Sequence, residues 1–404
     1  MFILEIIIPL ILSACGMIMI SSLSLRNSMV SGNPFAAPLR QFQFIGLGIT
    51  FMFVCMLFSS EAYRKHSGKI FFFSWILLLL TLVPGLGVKA GGATRWLSIA
   101  SFRFQPLEFV LFALPIFMAK RLNENEVVLS RGEFHSFMSP TLTTIILLAV
   151  PLMLQPNLGG TILVVSICFV MHIERRGWKW PLWGVACGII LVVLAILIAP
   201  YRMRRFYAFW DPWDDPMGKG FQIIQGLVAF ANGSLTGVGI GKGLQEERYL
   251  PEADTDYIFP AIGEEFGLVG TMTLVILYAV WAWRVFYIYK NAKNSFTRSL
   301  ALGLTASVIF PMFLNVAGVT KLMPLTGLPV PFVSWGGSSM IFMWAKVGLL
   351  MTIKAENADN TIKREEEIKI TEQPPKAKNI LKPAGSESSA KNKIKARKQV
   401  KKVK

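Results

Sequence analysis

Residues 264–287 read EEFGLVGTMTLVILYAVWAWRVFY. Two carboxylates open the stretch, and Arg284 alone interrupts the apolar remainder. A helix of roughly 20 apolar residues spans a bilayer. The apolar positions are continuous and do not alternate, which argues against a strand of a membrane β-barrel. Nine more runs of this kind lie near 3–25, 42–60, 69–88, 107–121, 138–155, 159–173, 181–200, 299–319 and 336–354. The fourth and sixth runs along the chain, 107–121 and 159–173, are short and should tilt or lie deep in the bundle. The expected fold is an all-α polytopic membrane protein with about ten transmembrane helices over residues 1–354.

Composition agrees with that reading. The 404 residues are 53% hydrophobic and 16% charged, with a mean hydropathy of +0.51. Cys15, Cys55, Cys168 and Cys187 all sit inside apolar runs, which excludes a disulfide framework. The stretch from Met1 to Leu25 lacks a basic leader and a small-residue cleavage site, so it reads as a first transmembrane helix. Of the net charge of +17, +8 falls after Ile353, where fifteen Lys/Arg face seven Asp/Glu. Residues 355–404 are therefore expected to form a disordered, Lys-rich cytoplasmic tail. No aromatic residues are interleaved with those charges, so nucleic acid is not an expected partner.

Basic residues set the expected orientation. Arg64, Lys65 and Lys69 lie in one loop, Lys120, Arg121 and Arg131 in another, Arg175, Arg176 and Lys179 in a third, and Arg284, Lys290, Lys293 and Arg298 in a fourth. These alternate along the chain and fit the cytoplasmic side, with both termini there. Segments 26–41, 88–106, 155–159, 201–263 and 320–335 then face outwards, 201–263 being the one large extracytoplasmic loop.

The outward face carries the chemistry. Upstream of the opening stretch, residues 237–270 place Glu246, Glu247, Glu252, Asp254, Asp256, Glu264 and Glu265 beside lipid. Intramembrane carboxylates ask for a functional reason. His66, His135 and His172 all map to the cytoplasmic side, and the outer loops hold no cysteine. A general base there must be a carboxylate, and a bound cation must be a hard one such as Mg²⁺ or Mn²⁺. Asp254 and Asp256 are the candidate ligands. Glu264 and Glu265 are expected to open the next helix, where the macrodipole favours negative charge. Arg95 and Arg103 lie among aromatic residues in a short outer loop, as either an anion site or interfacial anchors. In MPLTGLPVPFVSWGGSSM (323–340), the prolines forbid regular helix and Gly336 to Ser339 begin the last span. Amides at such a helix start can hold phosphate at Ser338 and Ser339, and small residues there also suit close packing. The residues alone leave both open.

Several segments together resemble the SEDS family (shape, elongation, division and sporulation), the FtsW/RodA/SpoVE proteins. They are RWLSIASFRFQPLE (95–108), QPNLGGT (155–161), RRFYAFWDPWDDPMGKGFQ (204–222), 237–270 and NVAGVTKLMPLTGLPVPFVSWGGSS (315–339). The Asp-Pro-Trp-Asp-Asp-Pro piece is similar to the FtsW branch. The resemblance implies a peptidoglycan glycosyltransferase polymerising undecaprenyl-linked lipid II at the outer face of the cytoplasmic membrane. It also implies a class B penicillin-binding transpeptidase and other division-complex proteins as partners, and no organic cofactor. It places the catalytic carboxylate on Asp256 and substrate contacts on Arg103, Gln105 and Glu108, with Lys242, Gln245 and Arg248 beside them. The chain departs from the family pattern at Leu111 (commonly Lys), Asn157 (Asp), Glu246 (Lys), Asp254 (His), Trp335 (Tyr) and Lys321. Two other readings share the substrate or setting: a lipid II flippase, which would move the lipid without bond chemistry, and a non-catalytic scaffold of a division complex.

Overall fold

The computed structural model describes the backbone of residues 4–31, 35–90, 93–99, 102–124, 134, 137–198, 203, 207, 209–218, 220–243 and 252–372. Its first compact unit is Met1–Ala358. Helices α1 (Leu4–Ser31), α2 (Ala36–Met56) and α3 (Ser60–Leu80) come first. Strands β1 (Gly87–Ala90), β2 (Ala93–Ile99) and β3 (Phe102–Phe104) follow, then α4 (Pro106–Glu124). A π-helical turn, Phe137–Leu142, leads into α5 (Thr143–Leu154), then α6 (Leu158–Arg176) and α7 (Lys179–Ile198). After a 3₁₀ turn at Pro212–Asp214 come α8 (Phe221–Gly233), α9 (Ile258–Lys290), α10 (Ser295–Val319) and α11 (Gly337–Glu372).

Each apolar run of the sequence has its main part on a helix. Six helical stretches among the described residues are long and apolar enough to cross a membrane: Leu4–Ser24, Ala36–Met56, Phe137–Leu154, Leu158–Arg176, Ile258–Lys290 and Ser295–Val319. Many of their large apolar side chains, such as Phe51, Phe53, Val150 and Ile276, point outwards, as expected where the surrounding solvent is lipid. Inside, aromatic contacts join neighbouring helices. Phe71 of α3 stacks on Phe117 of α4 with ring centroids 4.1 Å apart. Glu5 of α1 is buried and pairs with Arg284 of α9 at 3.1 Å and Lys354 of α11 at 2.8 Å.

Three features differ from the sequence reading. The segment between α3 and α4 folds as a small antiparallel sheet of order β1-β2-β3, so the chain is not wholly helical. Its strands are too short and glycine-flanked to announce themselves by alternation. Helix α9 begins at Ile258 rather than Glu264, so it starts inside the segment read as loop. It breaks at Gly267, whose φ of 66° and ψ of −163° only glycine adopts readily. Glu264 and Glu265 therefore lie on the turn before the break, fully buried, and do not open the helix. Lastly, α11 continues to Glu372, past the expected start of a disordered tail at 355. The run Lys363–Lys369 is rich in helix formers with acidic and basic residues four apart, which supports helix over coil. Residues 373–404 lie outside the described residues.

Candidate functional site

The acidic segment becomes a tight turn, Glu252–Tyr257, seated on the loop between α10 and α11. Within it, the amides of Thr255 and Tyr257 both donate to the Glu252 carbonyl at 3.1 Å. Three successive carbonyls of the turn are then held from outside. The Trp335 amide donates to the Asp254 carbonyl at 2.7 Å. The Ser334 hydroxyl donates to the Thr255 carbonyl at 2.7 Å. The Asn315 side-chain amide donates to the Asp256 carbonyl at 2.7 Å and to the Leu328 carbonyl at the same distance. Ser334 also accepts from the Val330 amide at 2.8 Å, which braces the proline-rich strap. Asp256 is thus fixed through its backbone, leaving its carboxylate free of the clamp.

That carboxylate faces Gly327. A Cβ at Gly327 would approach Asp256 Oδ2 to 3.2 Å, and the glycine's φ of 65° disfavours a side chain there. Burial pushes the Asp256 carboxyl up to about 6; Glu252 raises it further, Arg95 opposes, and Asp254 adds to the rise. Burial, with Glu252, also raises Asp254. A carboxyl near 6 is largely ionised at neutral pH yet basic enough to take a proton.

Arg95 is held on β2 with its guanidinium donating to the Pro156 carbonyl at 2.7 Å. Its charge acts on Asp256. Next to it, Ser98 of β2 pairs with Arg103 of β3, so Arg103 sits one strand away and is exposed. The β3–α4 corner meets the start of α11, where the Gln105 amide donates to Ser338 Oγ at 3.3 Å. Ser338 and Glu108 are buried. Lys242 is exposed in a turn after α8. Gln245, Glu246 and Arg248 lie outside the described residues. Asn157 caps α6 by accepting from the Gly160 amide at 3.1 Å. An Asn serves that role as well as an Asp.

Glu264 and Glu265 are structural brackets. Glu265 Oε1 accepts from Ser22 at 2.5 Å and from the Gly241 amide at 2.7 Å. Glu264 accepts from Asn232 at 3.1 Å. Together with the break at Gly267 they pin the 233–243 segment to α9. Among the described residues, no group of three or more His, Cys, Asp or Glu is arranged to hold a metal. Asp254 is near enough to Asp256 for its charge to raise that carboxyl, and two carboxylates bind Mg²⁺ only when substrate phosphates and water complete its shell.

The sequence reading singled out Asp256 and passed over Asn315 and Ser334. It named Arg95 without giving it a role at the carboxylate. An arginine beside Trp96 in a short loop was the signal available for it.

A bundle of apolar helices that holds elevated carboxylates on a backbone clamp defines a multi-pass membrane protein with a built site. The family model described as Cell cycle protein, covering FtsW, RodA and SpoVE, matches residues 3–359. The chain belongs to that family. It is 34% identical over 353 residues to stage V sporulation protein E of Bacillus subtilis (strain 168), covering 87% of this chain and 96% of that protein. It is 36% identical over 354 residues to the probable peptidoglycan glycosyltransferase FtsW of Haemophilus influenzae, covering 86% and 88%. Among solved structures, it resembles a chain from a study of structural coordination of polymerization and crosslinking by a peptidoglycan synthase complex. There the TM-score is 0.72 at 28% identity, over 87% of this chain and 97% of that one. RodA of Thermus thermophilus has the same fold, with a TM-score of 0.63 at 24% identity over 87% and 96%.

Proposed function

We propose that this protein is a peptidoglycan glycosyltransferase that polymerises lipid II during cell division, with Asp256 as its general base. Its family membership and its relatives named as probable peptidoglycan glycosyltransferases support the activity. The observation that carries the mechanism is the clamped Asp256, its carboxyl raised to about 6.

In the reaction, the 4-hydroxyl oxygen of the acceptor sugar attacks the anomeric carbon of the donor. The new glycosidic C–O bond forms as the bond from that carbon to pyrophosphate breaks. Asp256 takes the hydroxyl proton, and the electron pair leaves with undecaprenyl pyrophosphate. Arg103, Lys242 and Arg248 neutralise the leaving diphosphate, where a guanidinium fork suits phosphate geometry, and the Gln245 side-chain amide donates a hydrogen bond to it. The amides and hydroxyls of Ser338 and Ser339 at the α11 start lie where further phosphate oxygens dock. Arg95 keeps the base from rising out of the useful range. Asp254 and Asp256 would hold a Mg²⁺ or Mn²⁺, which supplies charge stabilisation of the pyrophosphate.

In the same reading the chain crosses the cytoplasmic membrane ten times, with α8 as an additional helix of the outer loop. Both termini are cytoplasmic and the site faces outwards, as the alternating basic loops favour. A class B penicillin-binding transpeptidase is the expected partner. The likeness to a chain from a complex that couples polymerization to crosslinking supports this.

The test is reconstitution of the purified chain with such a transpeptidase and labelled lipid II. Glycan strands should form, and Asp256→Ala should lose about 10²–10⁴-fold of that rate. Full polymerisation by Asp256→Ala would overturn the assignment of the base. Lipid II crossing the bilayer with no polymer would decide for a flippase, and neither activity for a scaffold.

A further inference from the structure

Gln41 sits in the second turn of α2 and is fully buried. Its Nε2 donates to the Ser334 carbonyl at 3.4 Å, and its Oε1 is buried without a hydrogen-bond partner. Reversing the amide would set two oxygens against each other, so the donor belongs on the Ser334 side. A buried amide with one end unmatched costs stability that an apolar side chain would not. Packing alone therefore does not account for a glutamine at this position.

What it holds does account for it. The Ser334 carbonyl and the Trp335 amide belong to one rigid peptide plane. Gln41 holds the oxygen of that plane, and the N–H of the same plane donates to the Asp254 carbonyl at 2.7 Å. A restraint thus passes from α2 into the turn that carries Asp256. Phe44, three residues on and on the same face of α2, meets the Trp335 ring edge to face, with centroids 6.0 Å apart. One turn further, α2 lies so close to α11 that a Cβ at Gly48 would be 2.7 Å from Trp344 Cδ1. From other sides, the Tyr278 hydroxyl of α9 donates to the Pro331 carbonyl, and a Cβ at Gly16 of α1 would collide with the Val333 carbonyl. The strap is therefore pinned at successive residues, and Gln41 supplies the polar hold on the peptide whose amide bonds the base turn.

We infer that Gln41 is a positioning residue for the general base. It fixes the Ser334–Trp335 peptide, and through it the Asp256 turn, in the orientation that the chemical step uses. This rests on the reading above that Asp256 is the base. The groups that bind the diphosphate lie on other elements, so the loss of Gln41 falls on turnover and spares substrate binding.

The experiment uses the full chain with its transpeptidase partner and labelled lipid II, and reads kcat, KM and the melting temperature. Gln41→Leu removes the donor and the unmatched oxygen together. Its kcat should fall about 10- to 100-fold, since a base displaced by about 1 Å loses that much, while KM stays within about twofold of the native value. Gln41→Met repeats the change with an unbranched side chain, should the branched one not fold. A clamp that works as a unit is lost at its first break. Gln41→Leu/Ser334→Ala should therefore be no more than about threefold slower than the slower of the two single variants. A native kcat in the Gln41 variants, whatever their melting temperature, would show a residue that only packs and would overturn the inference. So would a KM that rises as kcat falls, or losses that multiply in the double variant. Any of these results, with Asp256→Ala inactive and the native chain active, leaves the glycosyltransferase reading standing. A native chain that makes no polymer would instead sink that reading.

Discussion

Asp256 is ionised in a place that resists ionisation. Its carboxyl is raised from the ordinary range to about 6 in the folded chain. In the unfolded chain it ionises near its usual value of about 3.9. Raising the pH from 4 towards 7 therefore favours unfolding through this group, because the unfolded state gives up the proton first. The isosteric Asp256→Asn removes that penalty. It should melt no lower than the native protein at pH 7, and slightly higher if anything, while polymerisation is abolished; differential scanning fluorimetry and the lipid II assay read the two arms. A second expectation concerns the acid limb of the rate. Below pH 6, kcat/KM should fall about tenfold per pH unit as the base is protonated. Because Arg95 opposes the rise and Glu252 promotes it, Arg95→Ala should move that limb to higher pH and Glu252→Gln to lower. A limb that stays put in both variants would mean the titrating base lies elsewhere. At this scale the sequence was informative in a particular way. Asp256 stood out through the resemblance of its motif, and the lack of histidine in the outer loops already required a carboxylate.

Elements carry the site by crossing over one another. Helix α10 and the strap that follows it grip the Asp256 turn from residues 59 and 79 positions away in sequence. No local pattern encodes such bonds, which is why Asn315 and Ser334 were passed over. Asn315→Ala should weaken the protein by about 2 kcal/mol, since two carbonyls lose their donor. It should lower activity more than stability, because the turn that carries the base is what it releases. Urea unfolding and the polymerisation rate give the comparison. The break in α9 is a second such device. Gly267→Ala forces a side chain into a conformation worth about 1–3 kcal/mol of strain and against the backbone of Leu235 and Gly237. Limited proteolysis should then open the 233–243 segment, and an uncut segment would speak against the pinning role of Glu264 and Glu265. Apolar run length was enough to find the long helices. It could not find the three short strands, nor the start of α9, since Pro260 and Gly263 make its first turns read as loop.

At the scale of the whole molecule, alternating basic loops give a sidedness that an impermeant thiol reagent can check. Met217, 89% exposed in the segment between α7 and α8, should label in intact spheroplasts when changed to cysteine. Asn291, exposed in the basic turn between α9 and α10, should label as cysteine only after lysis. The reverse pattern would invert the proposed orientation and place Asp256 on the wrong side for an outer-leaflet substrate. Overall architecture was the most legible level, because bilayer thickness imposes one length on every span. The site's geometry was the least legible, because it is assembled from the ends of spans that lie far apart in the chain.

The clamp on the Asp256 turn grips peptide carbonyls; the Thr255 hydroxyl bonds within the turn to Glu252, and the clamp makes no use of the Asp254 side chain. Such a socket holds the turn whatever position 254 displays. A saturation library at Asp254 should therefore yield many clones that fold and melt as the native protein does, and any that stay fully active without the carboxylate would count against Asp254 as a cation ligand.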